Sequence, residues 1–148
     1  MSYPIRKQIY NLFLHLRDPP SGVQKFFAQV DDNVRFEVTG QHQFSGVWTT
    51  KENYFAATWS RIGKYLAEPG YRLEVVGEEK GVITVQDGWA AVELKTFDTN
   101  TRSGKPYEQH YSWHCRFGTS GKIAEVRAFL DSEKLVKIIE EEEKIADV

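Results

Sequence analysis

The alternation of residue types along residues 107–117, Y-E-Q-H-Y-S-W-H-C-R-F, constrains the fold of this chain most strongly. Side chains of a β-strand point alternately to the two faces of a sheet. One set of alternate positions here is largely aromatic or apolar, and the other set is wholly polar. The stretch therefore predicts a long strand with one buried face. The inward set is Tyr107, Gln109, Tyr111, Trp113, Cys115 and Phe117, and the outward set is Glu108, His110, Ser112, His114 and Arg116.

The rest of the second half also has strand character. Short runs rich in β-branched and apolar residues, separated by turn signals such as Asp87-Gly88 and Ser120-Gly121, are typical of an antiparallel series. The predicted strands are residues 72–78, 81–86, 89–97, 107–117 and 122–130.

The first half has helical periodicity instead. Apolar residues three and four positions apart predict helices over residues 5–17 and 21–30, with a strand over 34–38. Thr49 and Glu52 fit a capping box for a third helix that runs to about Ala67. A last helix begins at Asp131 or Ser132, and its acidic run, residues 140–143, is expected to face solvent.

Composition narrows the class of protein. The 148 residues suit a single domain, residues 1–148, and one cysteine rules out an internal disulfide. A net charge of −2 lacks the basic excess typical of nucleic-acid binding, and no apolar run is long enough to cross a membrane. Residues 1–16 mix charges into an apolar segment, unlike a signal peptide, so a cytoplasmic protein is expected.

Helices kept apart from an antiparallel sheet indicate an α+β fold. A strongly curved, antiparallel or mixed sheet wrapped around the N-terminal helices makes a cone with a hollow end. Such a hollow is a natural pocket for a small molecule. Aromatic residues make up 14% of the chain, which suits either a core or a pocket for flat organic compounds.

Three segments carry a resemblance to a known family. They are V-R-F-E-V-T-G-Q-H-Q-F-S-G-V-W-T-T-K-E-N-Y, S-G-K-P-Y-E-Q-H-Y-S-W-H-C-R-F and S-G-K-I-A-E-V-R-A-F-L-D-S. They resemble SnoaL-like proteins of the nuclear-transport-factor-2-like (ketosteroid isomerase-like) superfamily, including fungal members. The resemblance implies that superfamily's α+β barrel and a homodimer. It leaves activity open, because the superfamily contains isomerases, cyclases, hydrolases, dehydratases and proteins that only bind ligands.

Matching the chain to characterised members of the superfamily tests specific activities. The base of ketosteroid isomerase corresponds to Glu37, but the two groups of its oxyanion hole fall near Phe13 and Trp113, which cannot act in that way. The water-activating set of the epoxide hydrolases would fall on Glu93, Lys95 and Ala128, so that set is missing too.

The residues themselves suggest cofactor-free acid–base chemistry. Neither a metal-ligand spacing nor a glycine-rich phosphate loop is present, so no metal or cofactor is expected. A carboxylate and tyrosine hydroxyls buried in an apolar cavity can move protons near neutral pH, and an arginine can stabilise an anionic oxygen. The predicted catalytic residues are Arg35, Glu37, Tyr107, Tyr111 and Asp131; the predicted substrate-binding residues are Phe13, His42, Trp59, Glu93, Gln109 and Trp113.

Three functions stay open on this basis. The first is an isomerase or cyclase acting on an apolar, polycyclic secondary metabolite. The second is a protein that binds such a molecule without chemistry, or a hydrolase or dehydratase of the same superfamily. The third is an interaction protein that dimerises through the outward face of the sheet. Each candidate residue also has a structural alternative: Asp131 can cap the last helix, and Glu93 and Lys95 can form a solvent-facing pair.

Overall fold

The computed structural model describes residues 3–146. Two N-terminal helices, α1 (Arg6–Leu14) and α2 (Ser21–Phe27), are joined by a short 3-10 turn. Their apolar faces are buried because Ile9, Phe13 and Phe26 pack into the core beneath the sheet. The two helices therefore form a layer against which the sheet can curve.

Seven strands form one mixed sheet. They are β1 (Val30–Val38), β2 (Gly46–Trp48), β3 (Leu73–Val75), β4 (Ile83–Thr84), β5 (Trp89–Thr96), β6 (His110–Phe117) and β7 (Ile123–Leu130). The order is β2-β1-β7-β6-β5-β3, with β4 paired to β5 beside β3. Among the strand pairs of residues 3–146, β1–β7 alone is parallel, and β2 and β3 are the ends of an unclosed sheet. The predicted α+β class and mixed sheet are confirmed.

The predicted alternation along β6 is confirmed as well. Trp113 and Cys115 are 2% and 0% exposed, whereas His110 and His114 are exposed on the opposite face. Trp113 lies at the centre of the core, with its ring edge-to-face against Phe13, Phe26 and Phe36. Such aromatic pairs stabilise beyond the area that they bury.

The predicted third helix is wrong in two respects. Its N-cap is Thr50, whose hydroxyl accepts from the backbone N–H of Asn53, rather than Thr49. It is also two helices, α3 (Lys51–Ala57) and α4 (Trp59–Gly63), with a kink at Thr58. The Thr58 hydroxyl donates to the Tyr54 carbonyl at 2.8 Å, and this back-bonding of a threonine commonly bends a helix.

Several other boundaries differ from the prediction. Helix α2 ends at Phe27, and β1 already begins at Val30, so the second helix was predicted too long. The strands predicted over 72–78 and 81–86 shrink to β3 and β4, because Gly77 has a left-handed backbone and opens a 3-10 turn at Glu78–Gly81.

The last helix, α5 (Ser132–Ala146), packs Leu135 and Ile139 into a second apolar cluster. The prediction that residues 140–143 are all solvent-facing is wrong for Glu142, which is 5% exposed. Its carboxylate accepts from the Ser103 hydroxyl at 2.5 Å and from the Ser103 backbone N–H at 3.1 Å. Within residues 3–146, no helix combines the length and apolarity needed to cross a bilayer.

Candidate functional site

An apolar cavity lies between the inner face of the sheet, helices α3 and α4, and the start of α5. Aliphatic residues such as Val38, Leu73 and Leu135 form part of the wall. The tyrosines and tryptophans that line the cavity are Tyr54, Trp59, Tyr71, Tyr111 and Trp113. The free volume, counted as space open to the centre of a water molecule, is about 40 Å³. One water needs roughly 10–15 Å³ on this measure, so the cavity has room for a few waters in this conformation.

Two tyrosines from distant parts of the chain, Tyr71 and Tyr111, lie on the cavity wall, and Tyr107 contacts Tyr71. The hydroxyls of Tyr71 and Tyr107 lie 3.2 Å apart and share a hydrogen bond. Their rings meet edge-to-face at 5.5 Å. Tyr111 belongs to β6, which begins at His110, three residues after Tyr107, and it lines the cavity directly. A fourth hydroxyl, that of Tyr54, accepts a hydrogen bond of 2.8 Å from the Trp59 indole N–H.

Burial keeps these phenols neutral. Desolvation raises the pKa of Tyr71 and of Tyr111 well above the ordinary value, and the neighbouring Tyr107 hydroxyl adds to both shifts. Desolvation likewise raises the pKa of Tyr107 and of Tyr54. Because an ionised phenolate is disfavoured in an apolar site, all four side chains remain protonated near neutral pH. They can therefore donate a hydrogen bond, but they cannot act as bases.

The indole of Trp113 adds a further polar group. Its Nε1–H is buried and makes no hydrogen bond to any group in the described part of the chain. An unsatisfied buried donor costs about 1–3 kcal/mol, so an acceptor supplied by a bound molecule would be favourable. Three of the predicted site residues lie on the cavity wall: Trp59, Tyr111 and Trp113.

Arg35 and Glu37 do not reach the cavity, so the prediction that they act inside it is wrong. Both side chains lie on the outer face of β1, opposite the inward Phe36 and Val38. Glu37 pairs with Arg35 and Arg127, each at 3.4 Å. These ion pairs across the outer face account for the two residues without a substrate.

Glu93 is also on the outer face and exposed, so its predicted contact with substrate is wrong. Its expected pairing with Lys95 does not form either. Lys95 instead lies 3.4 Å from the carboxylate of Glu74 on the neighbouring strand β3. Glu93 and Lys95 share a face because they are two residues apart on one strand, but Lys95 pairs with Glu74, which lies directly opposite it on β3.

Asp131 and Gln109 have structural roles instead of the predicted catalytic and binding ones. The exposed Asp131 carboxylate caps α5 by accepting from the Lys134 backbone N–H at 3.1 Å. Gln109 is 2% exposed, and its amide both donates to the Asp131 carbonyl and accepts from the Asp131 N–H, at 2.9 Å each. The pair fastens the start of α5 to the sheet, so α5 can bring Leu135 to the cavity.

Two further predictions of substrate contact are wrong. Phe13 is fully buried behind Trp113 in the main core and does not belong to the cavity wall. His42 lies in the connection between β1 and β2, where its Nδ1 accepts from the backbone N–H of Phe44. Phe44, which the sequence did not single out, lines the cavity in its place.

Tyr71 and Tyr54 are the functional candidates that sequence reasoning missed. Tyr54 belongs to the apolar side of a predicted helix, which gave the only signal for it. Tyr71 directly follows the helix-terminating Pro69-Gly70, and no local pattern indicates that it meets Tyr107, which is 36 residues later. Among the residues described, no group of three or more His, Cys, Asp or Glu side chains could hold a metal ion, and none of those side chains lines the cavity.

Comparison with known proteins gives one curated relative. The chain is 25% identical over 137 residues to "Dimerizing cyclase tstC" from Talaromyces stipitatus. The match covers 93% of this chain but spans only 58% of the length of that relative. A scan against models of protein families matches none of them.

Solved structures are similar over nearly the whole chain. A protein from Burkholderia thailandensis, described as NTF2-like, aligns with a TM-score of 0.67 at 14% identity over 94% of this chain and 98% of its own. The BvnE pinacolase of Penicillium brevicompactum aligns with a TM-score of 0.64 at 12% identity, covering 94% and 91%. A SnoaL-like protein of Agrobacterium tumefaciens aligns with a TM-score of 0.56 at 16% identity, covering 85% and 97%. The sequence resemblance is thereby confirmed: the chain has the nuclear-transport-factor-2-like fold shared by SnoaL-like proteins.

Proposed function

We propose that this protein is a cofactor-free isomerase or cyclase acting on an uncharged, apolar compound, of the type found among polycyclic secondary metabolites. The observation that carries the proposal is the convergence of neutral tyrosine hydroxyls on an apolar cavity. The names of the matched proteins, a cyclase and a pinacolase, support the same reaction class. Isomerisation and cyclisation need no atoms from a cofactor, and the hydroxyl and indole groups of the cavity wall can donate hydrogen bonds to a substrate.

Hydrogen-bond donation is the chemical contribution that the wall can make. A substrate oxygen placed against Tyr111 would accept a hydrogen bond from its hydroxyl, and negative charge that develops on this oxygen would be stabilised. Such donors act strongly in a dry, apolar site, where removing one typically costs about 10²–10³ in kcat. Since none of the described carboxylates or imidazoles lines the cavity, the reaction would need no protein base, or the substrate would supply its own.

The three tyrosines would have different parts in this reaction. Tyr111 and Tyr71 line the cavity, so their hydroxyls are available to a substrate as donors, together with the Trp113 indole N–H. Tyr107 does not line it, and acts as a positioning residue through its 3.2 Å hydrogen bond to Tyr71. Glu37 and Asp131 thus have no part in the proposed reaction, and Tyr111 and Tyr71 contribute as hydrogen-bond donors rather than as acids or bases.

Comparison of metabolites with and without the gene identifies the substrate. We expect one compound to accumulate in the absence of the gene, while another of identical mass disappears. A mass difference of one water would instead indicate a hydrolase or dehydratase, and an unchanged profile would favour a protein that binds without chemistry.

Turnover of the identified compound by purified variants then tests the residue roles. We expect Tyr111→Phe to lower kcat by about 10² or more, because the shape is kept while the donor is lost. Tyr65→Phe is the matched control, since the Tyr65 hydroxyl faces Glu143 outside the cavity. Full activity of both Tyr111→Phe and Tyr71→Phe would contradict the proposed chemistry.

A homodimer that forms through the outer face of the sheet remains a separate proposal. That face carries charges that are only partly covered, such as Arg116 beside Glu125 at 3.4 Å. Measurement of mass in solution by light scattering tests it directly.

A further inference from the structure

We propose that residues 39–46, the connection between β1 and β2, form a gate over the cavity, and that Phe44 occupies the space taken by the apolar body of the substrate. Phe44 would then set the size of compound that the site accepts. This inference rests on the proposed function only in so far as the cavity takes a ligand. It explains how a cavity of about 40 Å³ could serve a substrate, given that ligand pockets usually measure about 300–1,000 Å³.

The base of the connection is fixed to the sheet. Val38 pairs with Gly46 across the β1–β2 ladder, and the Thr39 N–H donates to the Ala128 carbonyl at 3.1 Å. Gly40 and Gly46 bound the segment with φ values of +103° and +154°, a region that glycine enters without strain. Gly40 therefore gives the tip a point where the backbone can rotate with little strain, whereas Gly46 is held in the β1–β2 ladder.

The tip is a compact turn that satisfies its own hydrogen bonds. The His42 N–H donates to the Ser45 hydroxyl at 2.9 Å, the Ser45 N–H donates to the His42 carbonyl at 3.0 Å, and the Phe44 N–H donates to His42 Nδ1 at 3.1 Å. Because these bonds lie within the turn, it can move as a unit without losing them.

Arg61 makes the polar contacts between the tip and the rest of the described chain. The Arg61 guanidinium donates to the backbone carbonyl and to the side-chain oxygen of Gln43, at 3.1 and 3.2 Å. It also covers the Phe44 ring at 4.6 Å. Among the described residues, Arg61 donates every hydrogen bond that links residues 40–45 to other parts of the chain. Both are solvent-exposed, and such bonds contribute little to stability.

Phe44 is the part of the tip that closes the cavity. Its side chain is 1% exposed and packs with Ile62, Leu135 and Ile139, the residues that join α4 and α5. Since Phe44 is itself part of the wall, its withdrawal adds the volume of its ring to the cavity. Withdrawal also exposes the buried His42 Nε2, which has no partner among the described groups, and hydration of this atom would partly offset the exposure of Phe44.

Binding of an uncharged fluorescent ketone, 6-propionyl-2-(dimethylamino)naphthalene, tests the gate without any need for turnover. When only a fraction of the protein is in the open state that can bind, the apparent Kd is the intrinsic Kd divided by that fraction. A change that opens the gate should therefore lower the apparent Kd. We expect Phe44→Ala to lower the Kd at least about ten-fold and Arg61→Gln to raise the association rate by a similar factor. Lys64→Gln, which removes an exposed charge from the same region, should match the wild type.

Unchanged affinity in Phe44→Ala together with an unchanged association rate in Arg61→Gln would overturn the gate. Equal, weak binding to all variants would do the same, because it would place the dye elsewhere. If circular dichroism shows that Phe44→Ala is unfolded, Phe44→Leu keeps an apolar side chain and should give a smaller decrease in Kd. A working gate with no turnover of any metabolite would refute the proposed function alone, and turnover without gating would refute this inference alone.

Discussion

Replacement of Gln109 by methionine tests whether this residue holds the fold or contacts the substrate. The side-chain amide makes three hydrogen bonds, two with the backbone of Asp131 at 2.9 Å and one with the His110 N–H at 3.0 Å. Methionine keeps the length and the unbranched shape but makes none of them. The change therefore removes the connection between β6 and the start of α5 while leaving the volume of the core nearly unchanged.

The expected loss of stability follows from these bonds. A neutral hydrogen bond contributes about 1 kcal/mol net, so the loss of three lowers the free energy of unfolding by about 3 kcal/mol. Backbone groups at Asp131 that stay buried without a partner would increase the loss. For a domain of this size, a loss of this magnitude lowers Tm by roughly 6–12 °C.

Urea denaturation followed by circular dichroism measures the change. Glu108→Gln is the control, because Glu108 is an exposed neighbour whose side chain is paired only loosely with Lys134, at 3.6 Å. We expect the control to stay within about 0.5 kcal/mol of the wild type. A loss below 0.5 kcal/mol in Gln109→Met, together with weaker substrate binding, would refute the structural role and restore the predicted binding role.

Three more predictions concern stability. Desolvation raises the pKa of the Cys115 thiol, so the stability that the thiol contributes is present at neutral pH and is lost as pH rises above about 8.5, where the thiol of the unfolded chain ionises. In urea titrations between pH 8.5 and 9.5, the free energy of unfolding of the wild type should therefore fall by up to about 1.4 kcal/mol more per pH unit than that of Cys115→Ala. Burial alone would raise the pKa of Glu142, but the bonds from Ser103 outweigh it and lower the pKa. Glu142→Gln should therefore cost about 1–2 kcal/mol at pH 7 and nothing once acid protonates the native carboxylate, and an equal cost at both pH values would contradict this assignment. Lys51 donates to the carbonyls of Phe27 and Val30, so Lys51→Met should lower the free energy of unfolding by about 2–4 kcal/mol, whereas a change under 0.5 kcal/mol would show that water replaces the ammonium.

Strand faces were the most predictable feature of the site. The inward set of residues 107–117 is right at every position, because a buried face selects apolar and aromatic side chains at every second residue. The same parity already placed Arg35 and Glu37 together on one face of β1, but it could not say which face the core covers. Their charges, and the apolar Phe36 between them, indicated the outer face. The prediction followed the family resemblance instead and placed them in the cavity.

The sequence by itself determined the α+β class, the inward face of β6 and the fold family, because periodicity and turn chemistry act over a few residues. Only the tertiary structure decided that Tyr71 meets Tyr107, that Glu142 is buried against Ser103, and that Phe44 lines the cavity. These contacts join residues far apart in the chain, and their geometry depends on the curvature of the sheet and on the packing of α5. No local pattern carries that information, since the same tyrosine or phenylalanine fits a plain core equally well.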